Sequence, residues 1–175
     1  GKMGRIRAKN IIDFKGAELV CIFDKNNDNI DSKVNLCASF DQLLDSDLDG
    51  IFISTYVDAA ADYVLRALRS GKHVFCEKPP SLTRDQLLEI KEFQLDSNLV
   101  LKYGFNHRFH YGVMEAKAIV DSGRYGRLLW ARGIYGKAGG LNFENSWRSD
   151  KDLAGGGILL DQGIHMVDLL RYFLG

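Results

Sequence analysis

Short apolar runs alternate with helix-like segments through the first half of this chain, and no other feature restricts its fold as much. The helix-like segments show end signals, a glycine at position 71 after the first and the capping residue Thr83 before the second. Buried strands that alternate with helices are typical of a parallel sheet with right-handed crossovers. The predicted strands are residues 18–24, 50–54, 73–76 and 99–103, and the predicted helices are residues 59–70 and 83–96.

The alternation of short apolar runs with helix-like segments ends at about residue 105. A second α/β domain is expected to begin there, and the chain stops soon afterwards. Residue 1 already lies in a glycine turn, which should follow a strand, so the sequence indicates a fragment with domains at 1–105 and 106–175. In the second domain we expect a helix at 111–122, a long strand at 126–135, a loop at 136–157, and a strand end followed by an amphipathic helix at 159–174.

The composition excludes several functional classes. Of 175 residues, 23 are basic and 23 are acidic, so no basic surface is expected for nucleic acid. No apolar run approaches the roughly 18 residues of a membrane helix, so no membrane partner is expected. The three cysteines lack CxxC spacing and are interpreted as reduced thiols of a cytoplasmic protein.

The first residues carry half of a dinucleotide-binding pattern. Gly1 and Gly4 could be the second half of a G-x-G-x-x-G turn, whose glycines let the backbone approach a pyrophosphate. Asp24 ends the next predicted strand 20 residues later (24 − 4), where a Rossmann acid reaches the ribose hydroxyls; a solvated strand-end Asp is the alternative. A carboxylate repels a 2′-phosphate, so NAD is favoured, although Lys25 leaves NADP open. The cofactor-side residues of this region are Gly1, Lys2, Met3, Gly4, Asp24 and Lys25.

A lysine follows the third predicted strand, in the run Glu77-Lys78-Pro79. The carboxyl edge of such a sheet is where ligands bind, and Lys78 could donate hydrogen bonds to a substrate oxygen there. The alternative is a surface lysine in an ordinary loop. We expect the Lys78–Pro79 peptide bond to be cis.

Asp161 and His165 are four residues apart and should share one face of a helix. An imidazole beside a carboxylate is a natural general base for a hydroxyl proton. Alternatively, Asp161 caps the helix and His165 packs in the core. No third ligand stands at metal-site spacing, so no metal site is expected.

Taken together, these motifs resemble the Gfo/Idh/MocA oxidoreductases in order and spacing along the whole chain. The motifs are the half glycine turn, Asp24, Gly71–Pro79, Asn106-His-Arg-Phe109 and the run Gly155–His165. The resemblance implies a Rossmann-type parallel sheet followed by an α/β domain with an open, mainly antiparallel sheet. A homo-oligomer is expected for the full-length protein.

The resemblance also implies roles for particular residues. Lys78, Asp161 and His165 would form the catalytic group, and the cofactor side would include Ser54, Thr55, Glu77 and Lys78. Where the family has a proline-containing turn and then a histidine, this chain has Tyr56-Val57-Asp58 and Ala60, which puts the nicotinamide-side contacts in question. Substrate-side or domain-junction contacts would be Asn106, Arg108, Trp147 and Arg148, and Trp147 could equally be a core aromatic residue.

The reaction implied is hydride transfer between NAD(P) and a secondary hydroxyl carbon of a sugar, sugar nucleotide or inositol. His165 would accept the hydroxyl proton, Asp161 would support the imidazole, and Lys78 would polarise the oxygen; Lys78 could instead be the proton acceptor. Two alternatives stay open: a glycoside hydrolase that uses bound NAD transiently, and a non-catalytic nucleotide sensor. Net NADH formation separates the dehydrogenase from the hydrolase, and an intact set of Lys78, Asp161 and His165 argues against the sensor.

Overall fold

The computed structural model of the protein divides into two compact units, Gly1–Lys102 and Tyr103–Gly175. The described residues are 1–26, 34–136, 145 and 147–175. Part of the loop predicted at 136–157 therefore lies outside them. Within the described ranges, no helix is both long enough and apolar enough to span a membrane.

The first unit alternates helices with parallel strands, as predicted. Strand β1 pairs in parallel with β2, while β4 lies between β3 and β5 and pairs in parallel with β3. The strand predicted at 18–24 is shorter than expected, with only two residues in a ladder. The elements are α1 (Lys2–Asp13), β1 (Cys21–Ile22), β2 (Asn35–Leu36), α2 (Phe40–Leu44), β3 (Gly50–Ile53), α3 (Val57–Arg69), β4 (His73–Cys76), α4 (Arg84–Leu95) and β5 (Leu101–Tyr103).

Helix α3 supplies much of the core of this unit. Its Val64 and Leu68 side chains are 0% and 1% exposed, and alternate residues of β3 and β4 are buried with them. This is the pattern expected when an amphipathic helix packs on one face of a pleated sheet. The buried strand residues are Ile51, Ile53, Val74 and Cys76.

The ends of two helices follow the signals that were visible in the sequence. Gly71 has φ of +75°, and the N–H groups of Gly71 and Lys72 donate to carbonyls in the last turn of α3. Glycine suits this left-handed position because it has no Cβ. Helix α4 starts with a capping box in which Thr83 and Gln86 bond each other's backbone N–H.

The described part of the second unit is largely helical. The helices predicted at 111–122 and in the last segment are confirmed as α5 (Tyr111–Asp121) and α7 (Ile164–Leu174). The strand end predicted before the last helix is wrong, because a turn of π-helix occupies that place. The elements are a 3₁₀ turn (Asn106–Phe109), α5 (Tyr111–Asp121), α6 (Lys151–Ala154), the π turn (Leu159–Gly163) and α7 (Ile164–Leu174).

The strand predicted at 126–135 is also wrong for this structure. No residue of this segment enters a strand, and its large apolar side chains are exposed. A β-strand forms only where its backbone N–H and C=O groups are hydrogen-bonded to a neighbouring strand. No such neighbour pairs with it among the described residues. The exposed side chains include Leu129 (75%), Trp130 (73%) and Ile134 (76%).

Candidate active site

The N-terminus of α1 lies beside the ends of two strands in the first unit. The amino group of Gly1 donates to Asp24 Oδ2 at 2.9 Å, and a Cβ on Gly4 would lie 3.7 Å from the Cβ of Ser54. Helix α1 has no side-chain cap and no acidic residue in its first turn. The N–H groups of its first turn therefore carry partial positive charge, and an anion can bind in front of them.

Asp24 is an acceptor at this helix end. Besides the Gly1 amino group, it accepts the backbone N–H of Asn26 at 3.1 Å. An Asp carboxylate is ionised at neutral pH, and 31% of this side chain is exposed, so it can accept further hydrogen bonds. The neighbouring Lys25 is exposed.

Ser54, at the end of β3, has a buried Oγ with no hydrogen-bond partner among the described residues. A buried polar atom without a partner is costly, so a ligand group that bonds it would be favoured. The uncapped helix, the ionised Asp24 and this serine oxygen together fit the phosphate and hydroxyl groups of a dinucleotide. Thr55, next in the chain, is exposed.

Glu77 is paired within the first unit. Arg7 Nε donates to Glu77 Oε1 at 2.8 Å, and the Arg7 guanidinium lies 4.7 Å from the Phe75 ring centroid. The backbone N–H of Glu77 also bonds the carbonyl of Ile53 at 2.9 Å. Glu77, predicted on the cofactor side, therefore fixes α1 to the end of β4. Sequence reasoning missed Arg7, whose place on the helix one turn after Gly4 is the only local signal for it.

Lys78 follows Glu77 directly and is partly buried, as is the turn around it. Its peptide bond to Pro79 is cis, which confirms the prediction. The Pro79 ring is buried. The Lys78 backbone therefore belongs to a packed turn at the carboxyl end of β4.

In the second unit, three of the predicted residues come together around a carboxylate. Arg148 Nε donates to Asp161 Oδ2 at 3.0 Å, and the Arg148 guanidinium lies 4.4 Å from the Trp147 ring. Gln162, which is buried, donates to the same Asp161 oxygen at 2.8 Å. Asp161 is thereby held by charge-assisted hydrogen bonds inside the π turn. Gln162 was not singled out from the sequence.

His165 is the most enclosed of the predicted catalytic side chains, with 4% exposed. The His107 ring stacks on it, with centroids 3.9 Å apart and an interplanar angle of 14°. Phe105 meets it edge-on at 6.1 Å, and Tyr135 lies 6.4 Å away. His107 belongs to the Asn106-His-Arg-Phe109 run, but the sequence did not distinguish it from its neighbours.

Arg108, predicted as a substrate-side or junction contact, is engaged within its own unit. It makes two hydrogen bonds to Asp168 and lies 4.9 Å from the Tyr172 ring. These side chains line a cavity of about 500 Å³. Asn106 is exposed. Across the described ranges, no group of three or more His, Cys, Asp or Glu residues is arranged to hold a metal ion.

Comparison with known families gives a match over both parts of the chain. Residues 1–105 match the model described as an oxidoreductase family with an NAD-binding Rossmann fold. Residues 113–175 match the model of the GFO/IDH/MocA C-terminal domain.

Individual relatives are dehydrogenases of small polyols and sugars. Scyllo-inositol 2-dehydrogenase (NAD(+)) of Bacillus subtilis is 27% identical over all of this chain and 52% of its own length. The structure of myo-inositol 2-dehydrogenase from Lactobacillus plantarum has a TM-score of 0.83 and 28% identity, over all of this chain and 54% of its own. Levoglucosan dehydrogenase in complex with NADH and levoglucosan has a TM-score of 0.71 and 29% identity, over 81% of this chain and 39% of its own. The chain thus spans about half the length of the curated relatives that it matches throughout.

Proposed function

Because the chain belongs to the Gfo/Idh/MocA family of oxidoreductases, we propose that the full-length protein is an NAD-dependent dehydrogenase of sugar or cyclitol hydroxyls. The observation that carries the proposal is the partly exposed Asp24 carboxylate, which lies beside the N-terminus of α1. The substrate class is supported by relatives that are named for inositols and for levoglucosan.

The first unit would hold the dinucleotide through its own backbone and side chains. The N–H groups of residues 1–4 would bind the pyrophosphate, and Asp24 would accept hydrogen bonds from the ribose hydroxyls. The negative charge of Asp24 disfavours a 2′-phosphate, which favours NAD over NADP. Ser54 and Thr55 would border the nucleotide at the end of β3. When bound, the nicotinamide supplies or takes up the hydride.

The remaining chemistry is the transfer of one proton. In oxidation, His165 would accept the proton of the substrate hydroxyl, with Asp161 supporting the charged imidazole. The bonds from Arg148 and Gln162 would keep Asp161 in place for this role. Lys78 would polarise the same substrate oxygen, or would itself accept the proton. Asn106, Arg108, Trp147 and Arg148 would lie on the substrate side of the second unit.

The setting proposed for the protein is a cytoplasmic homo-oligomer. All three cysteines are free thiols, which suits a reducing compartment. The exposed apolar side chains of the segment 126–135 offer area for a subunit interface. Light scattering of the full-length protein would measure the number of subunits, and a monomer at all concentrations would contradict this part of the proposal.

The experiment is NADH absorbance from the full-length protein with a panel of sugars, glycosides, nucleotide sugars and inositols. The proposal expects NADH to accumulate with NAD and at least one of these compounds. Release of a free sugar without net NADH would identify a glycoside hydrolase instead. If NAD binds in calorimetry but no compound gives NADH or releases a free sugar, a nucleotide sensor would be favoured.

A further inference from the structure

His107 and His165 form a contact closer than ordinary aromatic packing. Their ring centroids are 3.9 Å apart with planes 14° from parallel. Aromatic pairs more often adopt offset or edge-on arrangements with centroids about 4.5–7 Å apart. The two imidazoles are therefore brought together by the elements that carry them, the 3₁₀ turn Asn106–Phe109 and helix α7.

The contact determines which way the buried imidazole can face. His165 is 4% exposed, with the His107 face on one side and the edge contact of Phe105 at an 88° angle. A ring rotation about the χ2 bond of His165 would drive its edge into the face of His107. In a close-packed interior such a movement requires the neighbours to shift as well. The stacked ring therefore restricts the direction in which the His165 nitrogens point.

Ring direction matters for a general base, because proton transfer needs the nitrogen within hydrogen-bond reach of the hydroxyl. A misplacement of about 1 Å can cost about 100-fold in rate. We infer that His107 is a positioning residue, whose flat ring holds His165 in the plane needed to take the substrate proton. This inference rests on the proposed function, in which His165 is the base.

Tyr135 supports this assignment from a third segment of the second unit. Its ring lies 5.3 Å from His107 and 6.4 Å from His165, so His107 is also packed against a segment other than the one that carries His165. A residue that is held in this way can transmit a fixed orientation to its neighbour. The role requires a flat ring at position 107 and not a particular charge.

The test compares two substitutions in the full-length protein. His107→Leu keeps most of the volume but removes the flat face, whereas His107→Phe keeps a flat face. We expect His107→Leu to lower kcat about 10- to 100-fold with KM and NAD affinity nearly unchanged. His107→Phe should keep kcat close to that of the unchanged protein. A His107→Leu variant with normal kcat, or a His107→Phe variant as slow as His107→Leu, would overturn the inference.

A double-substitution cycle separates positioning from general damage. If His107 acts through His165, His107→Leu should cause no further loss of kcat in a His165→Ala background. An equal loss in both backgrounds would show that His107 acts elsewhere. Normal turnover by His165→Ala alone would reject the proposed base, which is a different failure from normal turnover by His107→Leu alone.

A spectroscopic measurement does not depend on turnover. With ¹³C-labelled histidine, the His165 ring resonance should be displaced upfield by the ring current of His107, and its assignment follows from its absence in His165→Ala. The resonance should move downfield in His107→Leu and stay displaced upfield in His107→Phe, whose phenyl ring also has a ring current. An unchanged His165 resonance in His107→Leu would show that the rings do not stack in solution, and it would reject the inference even if that variant is too unstable for kinetics.

Discussion

Arg108 and Asp168 face each other through two parallel hydrogen bonds, from Nε to Oδ2 at 2.8 Å and from Nη2 to Oδ1 at 2.5 Å. The Asp168 side chain is only 10% exposed, and that of Arg108 is 39% exposed. This bidentate pair joins the 3₁₀ turn at Asn106–Phe109 to helix α7, which carries His165. A mostly buried carboxylate depends on such a partner, because burial has already removed the water that would solvate its charge. Without the guanidinium the charge would be left uncompensated.

We therefore expect Arg108→Ala to lower the free energy of unfolding by about 1.5–3 kcal/mol. The matched control is Asp13→Ala, which breaks the Lys9–Asp13 pair, whose side chains are 74% and 59% exposed. That pair should contribute less than about 1 kcal/mol. Urea denaturation of the full-length protein measures both. An Arg108→Ala variant of normal stability but raised substrate KM would instead support a substrate-side role for Arg108.

Asp24→Ala should weaken NAD binding to the full-length protein by about 10- to 100-fold. The expected loss of about 1.5–3 kcal/mol is that of a charged hydrogen-bond partner. Titration calorimetry measures the affinity, and Asp13→Ala, at the other end of α1, serves as the charge control. NAD affinity that is equal in Asp24→Ala and the unchanged protein would reject the ribose role. Improved NADP binding by Asp24→Ala is also expected, since the carboxylate that repels a 2′-phosphate is removed.

Cys76 should not react with iodoacetamide at pH 8 in the folded protein. Its side chain is 1% exposed, and burial, with a smaller effect of the Glu77 charge, raises the pKa of its thiol to about 12. Only the thiolate is nucleophilic, so the folded protein protects this residue. Peptide mass spectrometry before and after unfolding in guanidinium measures the modification. Equal labelling of Cys76 in the two states would contradict the burial seen here.

The raised pKa of Cys76 also gives a pH dependence of stability. The folded state disfavours the thiolate, so the stability from burying the neutral thiol is fully present below the unfolded-state pKa near 8.5. It is lost as the pH rises from there towards about 12. The difference in free energy of unfolding between the unchanged protein and Cys76→Ala should therefore shrink over this range. A constant difference would mean that Cys76 does not titrate with a raised pKa.

His165→Ala should lower kcat about 10²- to 10⁴-fold, the usual contribution of a positioned base. NAD affinity should stay nearly constant, because the role is at the substrate hydroxyl. The matched control is His110→Ala, since His110 is an exposed histidine of the same unit. Active-site-normalised kcat and the melting temperature together separate a catalytic role from a core role. A stable His165→Ala variant with near-normal turnover would leave Lys78 as the proton acceptor, and Lys78→Met should then abolish turnover.

Much of the first unit could be predicted because its signals are local. The burial pattern of α3 repeats at helical spacing, Gly71 ends that helix, and Thr83 with Gln86 starts the next one. Each signal acts within a few residues, so it can be recognised without knowing what else the chain contacts. The position of Asp24 shortly after β1 follows from the same kind of local signal, whereas its ribose role stays a prediction.

The sequence by itself determined the α/β order of the first unit, the family motifs and the residue types available for catalysis. Only the tertiary structure decided that Arg7 binds Glu77 and that Arg108 binds Asp168, pairs separated by 70 and 60 positions. It also placed His107 on His165 and, among the described residues, paired no strand with the segment 126–135. The physical reason is that helix turns and caps are satisfied by neighbours in the chain. Ion pairs, ring stacks and strand ladders, in contrast, need partners that only folding brings into contact.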